Sequence, residues 1–351
     1  MVNDKIFVSV LMSVYSEKPS ILEECINSIL KQTFSNFEFL IYLDKPDNEE
    51  LWSFLVEKAS QDSRIIIHKN EKNRLLAGTL NDELAIAKGE YIVRMDGDDV
   101  SVPNRIEALV DYMEVHQDVG VASSWMKEFG HRSIIDNRIV KYEESFERMK
   151  VIYLCQSPIA HAPCIIRRCV VNDFGPALYN ERCSKSQDYE LWSRLIQKGV
   201  IFGMVNKALY LRRSAQFAGA NPIKYQVIIN QICRKNIRDI LSSVKIELKN
   251  TIKKDLIVEV HTAISNNKGV LKKQLEMIQC IVYSNVYNNI IERLIKMVIN
   301  GDFGCLNILT YLPFRYRIHY FKSQKFIELN NIVSSSSELI YTADCTTNAT
   351  Q

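Results

Sequence analysis

The chain has no run of about 18 apolar residues, the length a membrane-crossing helix requires. Its opening, Met1-Val2-Asn3-Asp4-Lys5-Ile6, runs straight into an apolar stretch and lacks the order of a secretory leader. Both absences argue against export and against a membrane span. Glycine and proline are sparse, 12 and 8 of 351 residues, which excludes collagen-like and largely disordered chains. Cysteine is present but unorganised: nine residues, an odd number, with no C-x-x-C pair and no dense framework. They are expected as reduced thiols of a cytoplasmic protein, most of them filling core volume.

What remains is an ordinary globular make-up, 47% hydrophobic and 24% charged, with length enough for two domains or one large domain and an appendage. The net charge of +3 hides an asymmetry. Between Met204 and Asn330, 20 Lys or Arg face 8 Asp or Glu, a surplus of +12, while the last 21 residues carry −2 and residues 1–203 carry −7. A basic rear part suits an anionic membrane surface, a nucleic acid or a phosphorylated substrate.

Ile6 to Tyr15 is a nearly continuous apolar run, as a strand buried on both faces requires. Ser20 and Glu23 form an S-x-x-E capping-box pattern ahead of Leu22, Cys25, Ile26, Ile29 and Leu30, the spacing of one buried helix face. The alternation continues: strand over 37–43, helix over 49–59, strand over 64–68, helix over 76–87 and strand over 91–95. It predicts βαβ units and a parallel sheet in an α/β, Rossmann-like architecture. Beyond Pro103 a helix to about His116 precedes a strand over 119–125. Another short strand is expected over 164–167, a helix over 187–197, and two short strands within 200–213 around Asn206-Lys207. From about residue 220 the periodicity turns helical, with segments near 223–242, 252–265, 270–283 and 286–299, and residues 333–351 read as a loose tail.

In such sheets ligands bind beyond the carboxyl ends of the strands. Those ends carry Val14-Tyr15-Ser16-Glu17, Leu43-Asp44-Lys45 and Arg94-Met95-Asp96-Gly97-Asp98-Asp99, so carboxylates recur at one rim. Clustered carboxylates repel unless they are solvated, protonated or bound to a cation. Magnesium or manganese bridging a diphosphate would suit them; a helix N-cap with a solvated turn suits them too. An EF-hand fails, because Val100 and Ser101 stand where an oxygen ligand and Gly are needed.

Several ordered segments together resemble family 2 glycosyltransferases. Val8-Ser9-Val10-Leu11-Met12-Ser13-Val14-Tyr15, Leu22 to Phe34 and Phe37-Glu38-Phe39-Leu40-Ile41 are similar to the family's opening. Gly89 to Asp99, followed by Pro103-x-Arg105, resembles its D-x-D segment, and Ser186-Gln187-Asp188-Tyr189-Glu190-Leu191-Trp192 its E-D-x-x-L-W segment. The resemblance covers residues 6 to about 215. It implies a GT-A fold with a donor-binding half over about 1–125, an acceptor-binding half over about 126–220 and a basic helical region over 221–332.

The resemblance further implies transfer of a sugar, with inversion, from a nucleotide-diphosphate donor, with UDP-sugar the first expectation. By matching positions, Tyr15, Glu17, Asp44 and Arg94 would surround the nucleotide, Asp96 and Asp98 would hold ribose and a Mn2+ or Mg2+ ion, and Asp188 would be the general base. A helix-dipole role is the plainer alternative for Asp188. His161 could face the acceptor or the diphosphate, or be a buried hydrogen-bonded residue. Arg212 and Arg213 are candidate diphosphate contacts. The expected acceptor is a saccharide on a polyprenyl diphosphate carrier, in O-antigen or capsule synthesis at the inner face of the membrane.

Three positions depart from the family pattern: Gln187 replaces an acidic residue, Lys45-Pro46 follows Asp44, and Leu75 stands where Gly is usual. The segment Tyr311 to Lys322 interleaves aromatics with basic residues, which suits a packed helix first, a membrane-surface helix second and nucleic acid a distant third, so nucleic acid is not expected as a partner. A nucleotidyltransferase would need a Gly-rich phosphate-gripping loop after the first strand, and Tyr15-Ser16-Glu17-Lys18-Pro19 is not one. A non-catalytic carbohydrate-binding module would have no use for both the D-x-D and Asp188.

Overall fold

The computed structural model describes residues 7–130, 137–154, 156–175, 177–213, 222–247 and 254–287. The expected helix beyond Tyr287, the segment Tyr311–Lys322, the tail over 333–351 and residues 214–221 lie outside them. The chain divides into two units, Met1–Asn236 and Ile237–Gln351.

The first unit opens with β1 (Val8–Val14), α1 (Pro19–Leu30), β2 (Phe37–Leu43), α2 (Glu49–Gln61), β3 (Ile65–Lys69), α3 (Leu75–Ile86) and β4 (Tyr91–Arg94). These four strands are mutually parallel in the order β3-β2-β1-β4. Every residue of β2 is buried, as the unbroken apolar run demands of a strand covered on both faces. Helix α1 lays Leu22, Cys25, Ile26 and Ile29 on the sheet, each fully buried; burying an aliphatic side chain of this size contributes about 1.5–3 kcal/mol. Gly89 is required by close approach, since a Cβ there would lie 2.3 Å from the Ser9 backbone nitrogen.

The expected capping box does not form. Proline is tolerated in the first helical turn, and here Pro19 begins α1 with Lys18 as N-cap, placing Ser20 inside the helix. Glu23 instead reaches Lys58, 2.5 Å away.

The sheet continues through β5 (Val100–Ser101), α4 (Arg105–Val115), β6 (Val119–Phe129), β7 (Ile139–Val140), α5 (Phe146–Ile152), β8 (Ile165–Arg167), α6 (Arg168–Phe174), α7 (Gln187–Gln197) and β9 (Ile201–Arg213). The strand order is β3-β2-β1-β4-β8-β6-β9-β5, with β7 on β6; β8 is antiparallel to β4 and to β6, and β9 is parallel to β6. The two short strands expected within 200–213 are one strand. Ser124 pairs with Val205 and Trp125 with Ala208, so Asn206 and Lys207 bulge out of a continuous ladder instead of turning it.

After β9, α8 (Pro222–Ser243) begins in the first unit and ends in the second, which also holds α9 (Lys254–Asn266) and α10 (Gly269–Tyr287) packed on each other. Among the described residues no helix is long and apolar enough to cross a membrane.

Candidate active site

The chain runs from β1 outward to β2 and β3, then crosses back to β4 on the other side of β1. That reversal is a topological switch point, and the loops after β1 and β4 diverge there to leave a crevice. The β1 loop supplies Tyr15 and Glu17, β2 supplies Asp44, and β4 supplies Asp96, Asp98 and Asp99.

Glu17 folds back so that its Oε2 accepts the Tyr15 and Ser16 N–H groups at 2.7 and 3.0 Å. Its carboxyl packs beside the D-G-D turn, where a Cβ on Gly97 would lie 3.5 Å from Glu17 Cδ. Burial, with a contribution from Asp98, raises its pKa. Tyr15 is 45% exposed, and the Lys45 ammonium stands 5.8 Å from its ring centroid. Asp44 is buried; its Oδ1 accepts Asn70 Nδ2 at 2.8 Å and the Arg74 N–H at 2.6 Å. Leu75, where the resemblance expects Gly, keeps the left-handed backbone that Gly would supply, with φ +59°.

Arg94 is almost wholly buried and binds Asp96 Oδ1 through Nη1, while its Nε has no partner among the described residues. Burial opposes its charge, but Asp96 together with the Tyr210 and Tyr179 phenols outweighs burial and holds the guanidinium ionised. The Asp96 N–H donates to Tyr210 Oη at 3.1 Å. Asp98 is partly open, and its carboxyl is pushed up by burial and then by Asp96. Asp99 turns inward, accepting the Arg213 N–H at 2.7 Å; burial, Asp96 and Asp98 all raise its pKa. Among the described residues no three His, Cys, Asp or Glu converge into a ready metal cage.

Asp188 sits in the first turn of α7, partly open to solvent. Burial raises its pKa, the Tyr189 N–H and its own N–H lower it, and Arg94 and Asp96 act on it with opposite signs. The structure therefore brings Asp188 into the same electrostatic neighbourhood as Arg94 and Asp96. Ser186, the α7 N-cap, has φ +53° and a buried hydroxyl without a partner among the described residues. Left-handed non-glycine residues of this kind cluster at functional sites.

His161 is buried, 2.8 Å from Tyr179 Oη and edge-on to Trp192. Burial, reinforced by Arg94, pushes its pKa well below the usual histidine range, which keeps the ring neutral. Arg212 is paired with the buried carboxylate of Glu128. Arg213 spans the D-G-D-D turn, with Nε 2.8 Å from the Asp98 carbonyl and Nη2 2.5 Å from Glu24. The sequence places Asp99 in the rim run without a role of its own, and carries no signal for Tyr210.

This arrangement, an α/β sheet with carboxylates at its switch point and one more on a facing helix, is that of a glycosyltransferase. The Glycosyl transferase family 2 description matches residues 9–174. An uncharacterized glycosyltransferase of Methanocaldococcus jannaschii is 31% identical over 206 residues, 59% of this chain and 70% of that protein. The Escherichia coli UDP-Gal:alpha-D-GlcNAc-diphosphoundecaprenol beta-1,3-galactosyltransferase is 30% identical over 201 residues, 54% of this chain and 68% of that protein. S. aureus TarS 1-349 in complex with UDP-GlcNAc has a TM-score of 0.53 at 17% identity, covering 84% of this chain and 92% of that one, and shares its fold. The chain belongs to glycosyltransferase family 2 and is a glycosyltransferase of the GT-A fold.

Proposed function

We propose that this enzyme transfers one sugar, with inversion, from a UDP-sugar to a saccharide carried on a polyprenyl diphosphate, in surface polysaccharide synthesis at the inner face of the membrane. The observation that carries the reading is that Arg94, bound to Asp96 of the D-x-D rim, also acts electrostatically on Asp188 at the start of α7. The diphospholipid acceptor named for the E. coli relative supports the acceptor class. The surplus of basic residues between Met204 and Asn330 supports an anionic surface nearby.

Each side chain then has a task. Tyr15, Glu17 and Asp44 surround base and ribose, and Arg94 fixes Asp96. Asp98, with Asp96, offers the hard oxygens that Mn2+ or Mg2+ takes, and the crowding of these carboxylates is what a cation relieves. Asp96 and Asp98 would hold the ion together with groups that the donor and solvent bring. The ion, when bound, supplies charge neutralisation for the departing nucleoside diphosphate. Asp188 accepts the acceptor hydroxyl proton as that oxygen attacks from the face opposite the leaving group, a contribution of about 10²–10⁴-fold. Arg213, which lies against the D-G-D-D turn, and its neighbour Arg212, paired with Glu128, are assigned as diphosphate contacts. Neutral His161 is assigned to the acceptor side.

The test is transfer from a panel of UDP-, GDP- and dTDP-sugars to a GlcNAc-diphospholipid, with Mn2+ and with EDTA. A UDP-sugar is expected to react with inversion, and Asp98→Ala is expected to lose metal-supported donor binding. Full activity in EDTA, unchanged in Asp98→Ala, would overturn the metal assignment.

A further inference from the structure

Helix α3 is buried from Ala77 to Leu84 except at Asp82, and three of its buried residues are polar: Thr79, Asn81 and Glu83. Buried polar groups need partners, so where theirs lie shows what the helix holds. Thr79 Oγ1 accepts Asn70 Nδ2 at 3.0 Å, and the same amide nitrogen reaches Asp44 Oδ1. Asn81 points to another part of the chain altogether. Its Nδ2 donates to the Tyr179 carbonyl at 2.9 Å, and its Oδ1 accepts the Tyr179 N–H at 2.9 Å. One amide side chain thus satisfies both backbone groups of a residue 98 positions away, as a neighbouring strand would.

Tyr179 belongs to the loop that leads into α7. On its far side the loop is tied to α7 itself, because Arg194 Nη2 donates to the Leu178 carbonyl at 2.7 Å while Arg194 pairs with Glu190. On its near side Glu181 accepts from Asn81 Nδ2 at 3.3 Å and from Arg74 Nη2 at 3.2 Å, and the Arg74 backbone N–H is bound to Asp44. The Tyr179 hydroxyl meets His161. Asp44, by way of Asn70, and the loop that leads into α7 and its Asp188 therefore hang on one short helix, from residues two positions apart.

We propose that Asn81 is a positioning residue for transfer: it sets the loop and α7 so that Asp188 meets the acceptor hydroxyl at the correct distance from the donor anchored on Asp44. The inference rests on Asp188 acting as the base. Removing the clasp leaves Asp188 chemically intact but frees the Tyr179 backbone, so that only side-chain contacts, Glu181 to Arg74 and Tyr179 to His161, hold the loop on that side; a displacement of about 1 Å at a reacting group can cost roughly 10²-fold.

The test compares Asn81→Ala and the milder Glu181→Gln with the unaltered enzyme, by UDP titration calorimetry with Mn2+, steady-state transfer and urea unfolding. Asn81→Ala is expected to bind UDP within about twofold of normal while kcat falls about 10–100-fold and acceptor KM rises. Glu181→Gln, at a more exposed residue, is expected to give a smaller change of the same kind without loss of the fold. A fall in unfolding midpoint with kcat and acceptor KM unchanged in the folded fraction would make Asn81 merely structural and overturn the proposal. So would Glu181→Gln kinetics indistinguishable from normal, should Asn81→Ala fail to fold. An inactive Asp188→Asn beside a normal Asn81→Ala sinks this inference alone; a fully active Asp188→Asn sinks the base assignment beneath it.

Discussion

The Tyr210 hydroxyl lies 3.1 Å from the Asp96 nitrogen and accepts its N–H, and it lowers the pKa of the nearby Asp99 carboxyl. Strand β9 thereby holds both ends of the D-G-D-D turn that follows β4, through Tyr210 at Asp96 and through the Arg213 N–H at Asp99. The phenol is fully buried, so the space left by its hydroxyl would lie inside the protein.

Tyr210→Phe is accordingly expected to destabilise the enzyme by about 1–3 kcal/mol, the cost of leaving a buried donor or acceptor unmatched. Chemical denaturation measures this, and Mn2+-supported UDP binding should weaken with it, because the turn that presents Asp98 loses its fixed shape. Unchanged stability and unchanged donor affinity would mean that Arg213 alone latches the turn.

Leu75 offers a change in the opposite direction. A left-handed conformation costs a non-glycine residue roughly 1–2 kcal/mol, and Gly would give back roughly 0.5–1 kcal/mol of that as greater freedom in the unfolded chain. Leu75 is 49% exposed, so little burial is lost, and its N–H bond to Asn73 Oδ1 at 2.8 Å survives the change. Leu75→Gly is expected to raise unfolding stability by about 0.5–1 kcal/mol. A fall in stability would show that the leucine side chain contributes packing that outweighs its strain.

The rate should depend on pH through Asp188. A general base works ionised, so kcat rises as pH climbs through its pKa. Burial places that pKa above the ordinary carboxylate range, and the positive charge of Arg94 restrains the shift. The acid limb of the kcat profile is therefore expected at higher pH than a solvent-exposed aspartate would give. Arg94→Gln, which removes the restraining charge, should move the limb higher still. A limb that moved lower, or did not move, would separate Arg94 from Asp188.

Much of this was legible in the chain where a single physical signal dominates. The unbroken apolar run at 37–43 and the one-sided pattern at 187–197 gave element bounds that the structure repeats, because full burial and the 3.6-residue period are local properties. The carboxylates of 96–99 were legible because like charges at a strand end demand an explanation. Ser20 and Glu23 misled, since a capping pattern is overridden when Pro19 claims the first turn. Asn206-Lys207 misled because a polar pair inside a strand can bulge as well as turn. Tyr210 and Asn81 left no trace, since their meaning lies in partners 114 and 98 residues away.

The central claim is that Asp188 performs the proton transfer and takes no part in holding the donor. Donor affinity and single-turnover transfer measured side by side on Asp188→Asn test it most directly. UDP-sugar is expected to bind within about twofold of normal while transfer falls by about 10²-fold or more. Transfer at the normal rate by Asp188→Asn would contradict the account.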